Sequence, residues 1–225
     1  MKRILLAGAA GLAASAAFPL AAQAQSVEHP NSISVGAYAF RFNSESEDLS
    51  GPLTPPGLGA EAEDTEAVAI VYARQINPRW SVNLAFGIPP KVELTGARNA
   101  APLGKLGEAD AIAPALTVHY SFNPEGRFRP FVGGGVAYTR FEDPTPSASL
   151  EAALGGPTTI EIEDSISPAV TAGFDYDFTD RMFGTLSATY IEQNGEATLR
   201  TGTIRRETEI ELNPVVYRAT VGFRF

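Results

Sequence analysis

The chain has 225 residues, no cysteine and a formal net charge of −9 at pH 7. This length suits one β-rich domain or two small ones. The lack of cysteine excludes disulfide bonds, thiolate metal sites and a thiol nucleophile, and the acidic balance argues against a nucleic-acid partner. Beyond the N-terminus, no run approaches the roughly eighteen consecutive apolar residues of a membrane-spanning helix.

The N-terminus has the pattern of a secretory signal peptide. Lys2 and Arg3 precede an apolar run that ends in the small-x-small sequence Ala22-Gln23-Ala24. A transmembrane anchor is the alternative, but glycine, serine and proline interrupt the run. We therefore expect a signal peptide over residues 1–24 and one mature domain over residues 25–225.

Alternation of apolar and smaller or polar residues with a period of two predicts eight strands. In the third strand, for example, Trp80 and Val82 alternate with Ser81 and Asn83. Most strands have at least the nine to eleven or so residues that a tilted strand needs to cross a bilayer. The predicted strands are Ser32–Phe42, Thr65–Ile76, Arg79–Gly87, Ala111–Phe122, Phe128–Phe141, Ser165–Phe178, Arg181–Ile191 and Asn213–Phe225.

The connections between these strands alternate between short and long. Asn77–Arg79, Asn123–Arg127 and Thr179–Asp180 are tight turns. The long polar connections are Asn43–Asp64, Ile88–Asp110, Glu142–Asp164 and Glu192–Glu211. A soluble sandwich has no reason to sort loop lengths by side, whereas outer-membrane barrels do. The fold class predicted is all-β: an eight-stranded antiparallel transmembrane β-barrel with long extracellular loops and short periplasmic turns.

Aromatic residues are expected to form two belts at the membrane interfaces. One belt, toward the short turns, includes Trp80, Phe183 and Phe223, and the other, toward the long loops, includes Phe40 and Phe141. Ordinary β-propensity is the alternative explanation. The last strand alternates up to Phe225, so we expect this ring at the periplasmic interface and the strand paired with the first.

Several sequence motifs resemble those of the OmpW family of small outer-membrane barrels. They are FRPFVGGGVAYTRF (Phe128–Phe141), GIPPKVELTG (Gly87–Gly96), LTVHYSF (Leu116–Phe122) and the terminal LNPVVYRATVGFRF. The resemblance covers essentially the whole mature chain. It implies a location in the cell outer membrane and a narrow, largely hydrophobic lumen linked to passive uptake of small hydrophobic molecules. A structural, adhesion or receptor barrel without transport is the alternative.

Partners and chemistry follow from this interpretation. The expected partners are outer-membrane lipids, lipopolysaccharide, small hydrophobic solutes and the barrel assembly machinery, whose recognition signal the terminal Phe resembles. Two long loops carry six acidic residues each and no Lys or Arg, which favours a solvated surface or cation bridges to lipopolysaccharide. We expect no cofactor and no metal site. No catalytic residue is predicted either, because the inward-facing His119 lies at the periplasmic end and suits a hydrogen bond in the lumen.

Two sets of lumen residues are predicted from the alternation. Small residues high on the third and fifth strands form a candidate ligand pocket, in which Ala85→Trp or Ala137→Trp would block transport: Asn83, Ala85, Gly87, Ala137 and Thr139. Accommodation of larger side chains from opposite strands is the alternative. Charged inward residues form a lower polar network: Asp175, Asp177, Arg218 and Arg224.

Prolines recur near the start of three descending strands, at Pro114, Pro168 and Pro214. They either end the β-ribbon above the membrane or open the wall for sideways exit of a solute. By counting, Pro214 faces inward whereas the other two face outward, so we expect a bulge near it.

Overall fold

The computed structural model describes residues 28–54 and 56–225, so the predicted signal peptide lies outside the described residues. The helices are a 3₁₀ turn, Ala101–Leu103, and α1, Ala148–Leu154, and neither is long and apolar enough to cross a membrane. In chain order the strands are β1 (Asn31–Arg41), β2 (Glu45–Ser46), β3 (Leu58–Ala62), β4 (Thr65–Gln75), β5 (Trp80–Gly87), β6 (Lys91–Arg98), β7 (Lys105–Ile112), β8 (Ala115–Ser121), β9 (Phe128–Pro146), β10 (Thr158–Ile162), β11 (Ser165–Asp177), β12 (Met182–Ile191), β13 (Asn194–Thr201), β14 (Ile204–Glu211) and β15 (Val215–Arg224).

Eight of these strands close into an antiparallel barrel in the order β1-β4-β5-β8-β9-β11-β12-β15. The last strand returns to the first, with register partners from Ser32↔Arg224 to Arg41↔Val215. Closure gives every barrel strand a partner on both sides over most of its length. A free sheet edge would leave unpaired backbone groups in lipid. The predicted eight-stranded antiparallel barrel is confirmed.

The short turns are held by side-chain hydrogen bonds. The Asn77 Oδ1 atom accepts from the backbone N–H groups of Arg79 and Trp80, at 2.9 and 3.0 Å. The Thr179 hydroxyl accepts from the N–H group of Met182 at 2.9 Å. Asn and Thr bond to the backbone two or three residues further on, which is why they favour such turns.

Side chains alternate between the two faces of the barrel wall as predicted. On β15, Val221 is 53% exposed on the outer face, whereas Thr220 is 5% exposed on the inner face. Phe225 is half-exposed, and its backbone exchanges hydrogen bonds with that of Asn31 at 2.8 and 3.1 Å. The chain thus ends on an outward ring in a strand paired with β1.

Three of the aromatic residues assigned to the outer belts point inward. Phe183 is 6% exposed and packs under the Arg224 guanidinium, 4.3 Å from the ring centroid. Phe40 packs inside the barrel beside Tyr38, with ring centroids 5.9 Å apart. Phe141 is partly buried and packs against a cluster of buried apolar side chains. The belt prediction was wrong for these three because clustering near a strand end does not reveal which face a ring occupies, whereas strand parity does.

The long connections were expected to be loops, but they carry ordered structure. Strands β7, β6 and β3 continue the sheet from the long upper part of β9, and β10, β13, β14 and β2 form a second sheet. Helix α1 packs beside β7, capped by the Ser147 hydroxyl, which accepts from the Leu150 N–H group at 3.2 Å. We call this part the extension, defined by β2, β3, β6, β7, the upper part of β9, α1, β10, β13 and β14.

The extension has its own apolar core. The strands of the second sheet alternate, so that Leu199 and Ile210 are each 7% exposed while their neighbours Arg200 and Glu211 face solvent. The buried members of this cluster are Leu106, Leu150, Leu154, Ala197, Leu199, Ile210 and Leu212. Burial of these side chains, at about 25 cal/mol per Å² of apolar surface, stabilises the two sheets against each other.

Candidate binding sites in the barrel lumen

A network of ion pairs crosses the lumen at the short-turn end. The Asp177 carboxylate accepts from Arg224 at 2.7 Å and from Arg129 at 3.0 Å. Asp175 lies 3.7 Å from Arg129 and accepts from the Thr185 hydroxyl at 2.6 Å. Buried charges require such partners, because removal from water is costly for each ion alone.

The predicted polar network differs from the observed one in two residues. Asp175, Asp177 and Arg224 lie in the network, but Arg218 forms no ion pair with any described residue. Arg129 was not predicted, although it shares the inward parity of Phe131 and Gly133. The strand period was the signal that could have identified it.

His119 lies inside the barrel, 6% exposed. Its Nε2 atom is 2.9 Å from the Thr117 hydroxyl, and its ring stacks on Phe131 with centroids 4.6 Å apart. Together with the ion-pair network it faces a polar cavity of about 650 Å³ of atom-free space, counting its open mouth. We call this the lower cavity, and its other polar lining includes Ser32, Ser34, Gln75, Ser81, Asn83 and Arg218.

A second cavity occupies the lumen toward the long loops. It has about 620 Å³ of atom-free space, again counting open space at its mouth, and its lining is mainly apolar. We call it the upper cavity, lined among others by Tyr38, Phe40, Ala67, Phe86, Gly87, Thr139, Phe141 and Pro214. The barrel interior is therefore divided into an apolar upper part and a polar lower part.

The five residues predicted to line a ligand pocket are distributed over the lumen. Gly87 and Thr139 line the upper cavity. Asn83 lines the lower cavity and donates to the Ser81 hydroxyl at 3.0 Å. Ala85 faces inward and lines neither cavity. Ala137 is fully buried in a cluster with Tyr38 and Phe40, so a tryptophan there would overpack the wall and could not report on solute.

The extension encloses a cavity that is larger than either lumen cavity. It has about 1030 Å³ of atom-free space, part of it continuous with solvent, and an almost entirely apolar lining. We call it the extension cavity, lined among others by Leu58, Leu94, Leu103, Leu106, Ile160 and Leu199. Val92, Phe141 and Leu212 line both this cavity and the upper cavity, so the two share a wall of three apolar side chains.

The barrel wall is incomplete beside the upper cavity. Strand β5 pairs with β4 only as far as Gly87↔Ala69, which leaves residues 65–68 of β4 without a ladder partner on that side. The next segment, Ile88-Pro89-Pro90, cannot continue the ladder because proline lacks a backbone N–H group. Phe86 and Ile88 are 39% and 61% exposed on the outside, yet both line the upper cavity.

The three prolines of the descending strands do not break the ladder on their carbonyl side. The carbonyl oxygens of Pro114, Pro168 and Pro214 accept from the backbone N–H groups of Tyr138, Glu192 and Ile191, at 2.9, 3.1 and 3.1 Å. Pro214 is fully buried and lines the upper cavity, whereas Pro168 is exposed. The inward position of Pro214 follows a backbone irregularity at Asn213, whose φ is +36°.

Comparisons with known proteins agree with the fold. The OmpW family profile matches residues 38–225. The chain is 26% identical over 208 residues to the dibenzothiophene metabolism operon protein PahQ of Pseudomonas aeruginosa, covering 92% of this chain and 94% of that protein. It is 28% identical over 173 residues to outer membrane protein W of Vibrio cholerae, covering 76% of this chain and 78% of that protein.

A solved structure shows the same architecture. The crystal structure of the outer membrane protein OprG from Pseudomonas aeruginosa superposes with a TM-score of 0.79 at 21% identity, covering 88% of this chain and 96% of OprG. The family match and the closed barrel together confirm the family resemblance of the sequence motifs. The chain belongs to the OmpW family and is an outer-membrane β-barrel protein.

Proposed function

We propose that this protein is a narrow conduit for passive uptake of small hydrophobic molecules across the outer membrane. The observation that carries the proposal is the shared wall between the two apolar cavities. In outer-membrane barrels the long loops are extracellular. A solute that enters the extension cavity therefore needs only a shift of Val92, Phe141 or Leu212 to reach the upper lumen.

The gap beside β5 is the exit that we propose. Below the upper cavity an apolar solute would meet the Asp177–Arg224 pair, and its passage would require breaking charged contacts in a narrow space. Sideways movement past Phe86 and Ile88 transfers apolar surface into lipid instead. We propose this opening in place of one at the three descending-strand prolines, whose carbonyl groups remain paired.

The relatives support uptake without establishing it for this chain. PahQ is named for a dibenzothiophene metabolism operon, and dibenzothiophene is a small apolar aromatic compound. We propose no catalytic role for His119, because its Nε2 atom already bonds to Thr117 and no described carboxylate lies within 4 Å of its ring. A structural, adhesion or receptor role without transport is the alternative outcome of the test.

The test compares two tryptophan variants that add the same volume on opposite faces of the wall. Ala67 lines the upper cavity, whereas Ala37, on the neighbouring strand, is exposed on the lipid face. A strain lacking the gene is complemented with wild type, Ala67→Trp or Ala37→Trp, and uptake of labelled apolar compounds is measured. We expect Ala67→Trp to lose uptake and Ala37→Trp to retain it, with both variants heat-modifiable on gels.

Two results would contradict the proposal. Normal uptake by a correctly folded Ala67→Trp variant would show that the upper cavity is not on the route. Equal uptake with and without the gene, over a broad panel of compounds, would favour the structural or adhesion role. In that case deletions in the extension should abolish binding to surfaces.

A further inference from the structure

Arg218 is a lumen arginine without a counter-ion. It lies on the inner face of β15, lines the lower cavity and is the register partner of Tyr38 on β1. Among the described residues no carboxylate lies within 4 Å of its guanidinium group. Its Nε atom is buried and has no hydrogen-bond partner. A guanidinium group in the lumen without a counter-ion lowers the stability of the fold unless another group pairs with it.

The charges of the lumen do not balance around this residue. Arg129, Arg218 and Arg224 face Asp175 and Asp177, which leaves one positive charge in excess when His119 is neutral. The two carboxylates are already engaged with Arg129, Arg224 and the Thr185 hydroxyl. Arg218 lies near enough to Asp175 to interact with it electrostatically, but the ion pair of Asp175 is with Arg129, so the excess positive charge lies on the Arg218 side of the lumen.

Other polar atoms near Arg218 also lack partners. The hydroxyl of Thr220, which is 5% exposed and lies two residues along the same face, forms no hydrogen bond. The Tyr38 hydroxyl is buried and lies beside the Arg218 guanidinium group, with no hydrogen-bond partner within 3.5 Å. Buried polar groups are almost always paired, so these groups on adjacent strands can hydrogen-bond to a polar molecule that enters the lumen.

The position of this cluster suits a molecule with two chemical parts. Tyr38 lines the upper cavity and Arg218 lines the lower cavity, so the cluster lies at the boundary between the apolar and the polar lumen. The register places small residues beside it: Ala67 is opposite Tyr38 on β4, and Ser187 is opposite Arg218 on β12. Space is therefore available next to the guanidinium group.

We propose that Arg218, with the Tyr38 and Thr220 hydroxyls, binds the carboxylate head of an amphipathic solute whose aliphatic tail lies in the upper cavity. A guanidinium group pairs with a carboxylate through two parallel hydrogen bonds, and this pairing is strong in a water-poor site. The inference rests on the proposed function and makes it more specific. The conduit then takes medium-chain carboxylates as well as uncharged apolar molecules.

The experiment compares two probes that share a tail and differ in the head group. Binding of radiolabelled decanoate and 1-decanol to the mature barrel in lipid nanodiscs is measured at neutral pH, and partition into empty nanodiscs is subtracted. Wild type should bind decanoate at least about tenfold more tightly than 1-decanol, which corresponds to about 1.4 kcal/mol. If 1-decanol binds as tightly as decanoate, the proposal is wrong.

Variants locate the site. Arg218→Gln should weaken decanoate binding by roughly tenfold or more and leave 1-decanol binding nearly unchanged, because only the head-group contact is lost. Arg218→Lys should retain part of the decanoate affinity that Arg218→Gln loses. The matched control is Arg181→Gln, which removes an exposed arginine at a short turn and should change neither probe. Folding is checked by heat-modifiable migration. If Arg218→Gln does not fold, Thr220→Val takes its place, and it is expected to weaken the binding of decanoate and leave that of 1-decanol unchanged.

The outcomes separate this inference from the proposed function. If 1-decanol binds and Arg218→Gln leaves decanoate affinity unchanged, the carboxylate site is absent while the apolar conduit stands. If neither probe binds beyond empty nanodiscs, the proposed function fails with it. An equal loss of both probes in a folded Arg218→Gln variant would show that Arg218 shapes the lumen and does not recognise a head group.

Discussion

The ion-pair network of the lower lumen offers a direct test of how burial changes the value of a salt bridge. The Asp177–Arg224 contact and the Arg205–Glu207 contact are both 2.7 Å long. The side chains of the first pair are 20% and 10% exposed, whereas both side chains of the second are 58% exposed. Asp177→Asn and Glu207→Gln each remove one negative charge with almost no change in shape.

The two variants should lose different amounts of unfolding free energy, because one ion pair is largely buried and the other is exposed to solvent. Asp177→Asn leaves Arg224 without a counter-ion and weakens the second contact, to Arg129. Removing one partner of a buried pair costs about 3–5 kcal/mol, and we expect about 3 kcal/mol because Asp177 keeps some exposure. The exposed pair is screened by solvent, so Glu207→Gln should cost less than about 1 kcal/mol.

The measurement is equilibrium unfolding in urea with the barrel in lipid vesicles. Trp80 is the single tryptophan of the chain and lies half-exposed on the outer face of β5, so its fluorescence reports barrel unfolding. Far-UV circular dichroism serves as the second probe, because it also detects the extension. Adding Arg224→Gln to Asp177→Asn should recover part of the loss, since the unpaired charge is removed as well.

Equal losses in the two single variants would refute the reasoning. A loss below about 1 kcal/mol for Asp177→Asn would do the same, because it would mean that the lower lumen screens charge as well as bulk water does. A double variant whose loss equals the sum of the losses of Asp177→Asn and Arg224→Gln would show that the two side chains act independently.

Three further predictions concern other parts of the molecule. Gly135→Ala should destabilise the barrel by roughly 1–3 kcal/mol, because a Cβ atom there would clash with the backbone oxygen of Leu116 on the neighbouring strand. Gly134→Ala is the control and should be tolerated, because its Cβ atom would lie 3.5 Å from the nearest such oxygen, and thermal unfolding of both variants is measured. Leu199→Ala should cost the extension about 2–5 kcal/mol and speed its proteolysis, with heat-modifiable migration of the barrel unchanged. Lys105 and Lys91 hold the pKa of Glu108 below its ordinary value of 4.5. The ion pair therefore stabilises the β6–β7 hairpin above that pH and is lost as pH falls through the lowered pKa, and an NMR titration should show the pKa of Glu108 returning toward 4.5 in high salt.

Much of the barrel was predictable because the information is local. A strand with lipid on one side repeats every two residues, so parity along β15 alone assigns Val221 to the outside and Thr220 to the lumen. Six of the eight predicted strands match the structure to within about two residues at both ends. The same parity placed Asp175, Asp177 and Arg224 in the lumen, and it also assigns Arg129, within the predicted strand Phe128–Phe141, to the lumen.

The extension was not predictable from local pattern. Its connections carry many acidic residues, and these do face solvent, so the composition of these segments is that of loops. The apolar residues between them become a core only when segments distant in sequence meet, as Leu150 and Leu199 do. Short segments that each bury few side chains are stable as strands only through such contacts.

The sequence by itself determined the number of barrel strands, the face that each side chain occupies and the outward terminal ring of Phe225, because these depend on a period of two and on the lipid around the barrel. Only the tertiary structure decided which inward residues share a level of the lumen, since that depends on how eight tilted strands are staggered. That stagger pairs Asp177 with Arg224, leaves Arg218 unpaired opposite Tyr38, and ends the β4–β5 ladder beside the upper cavity.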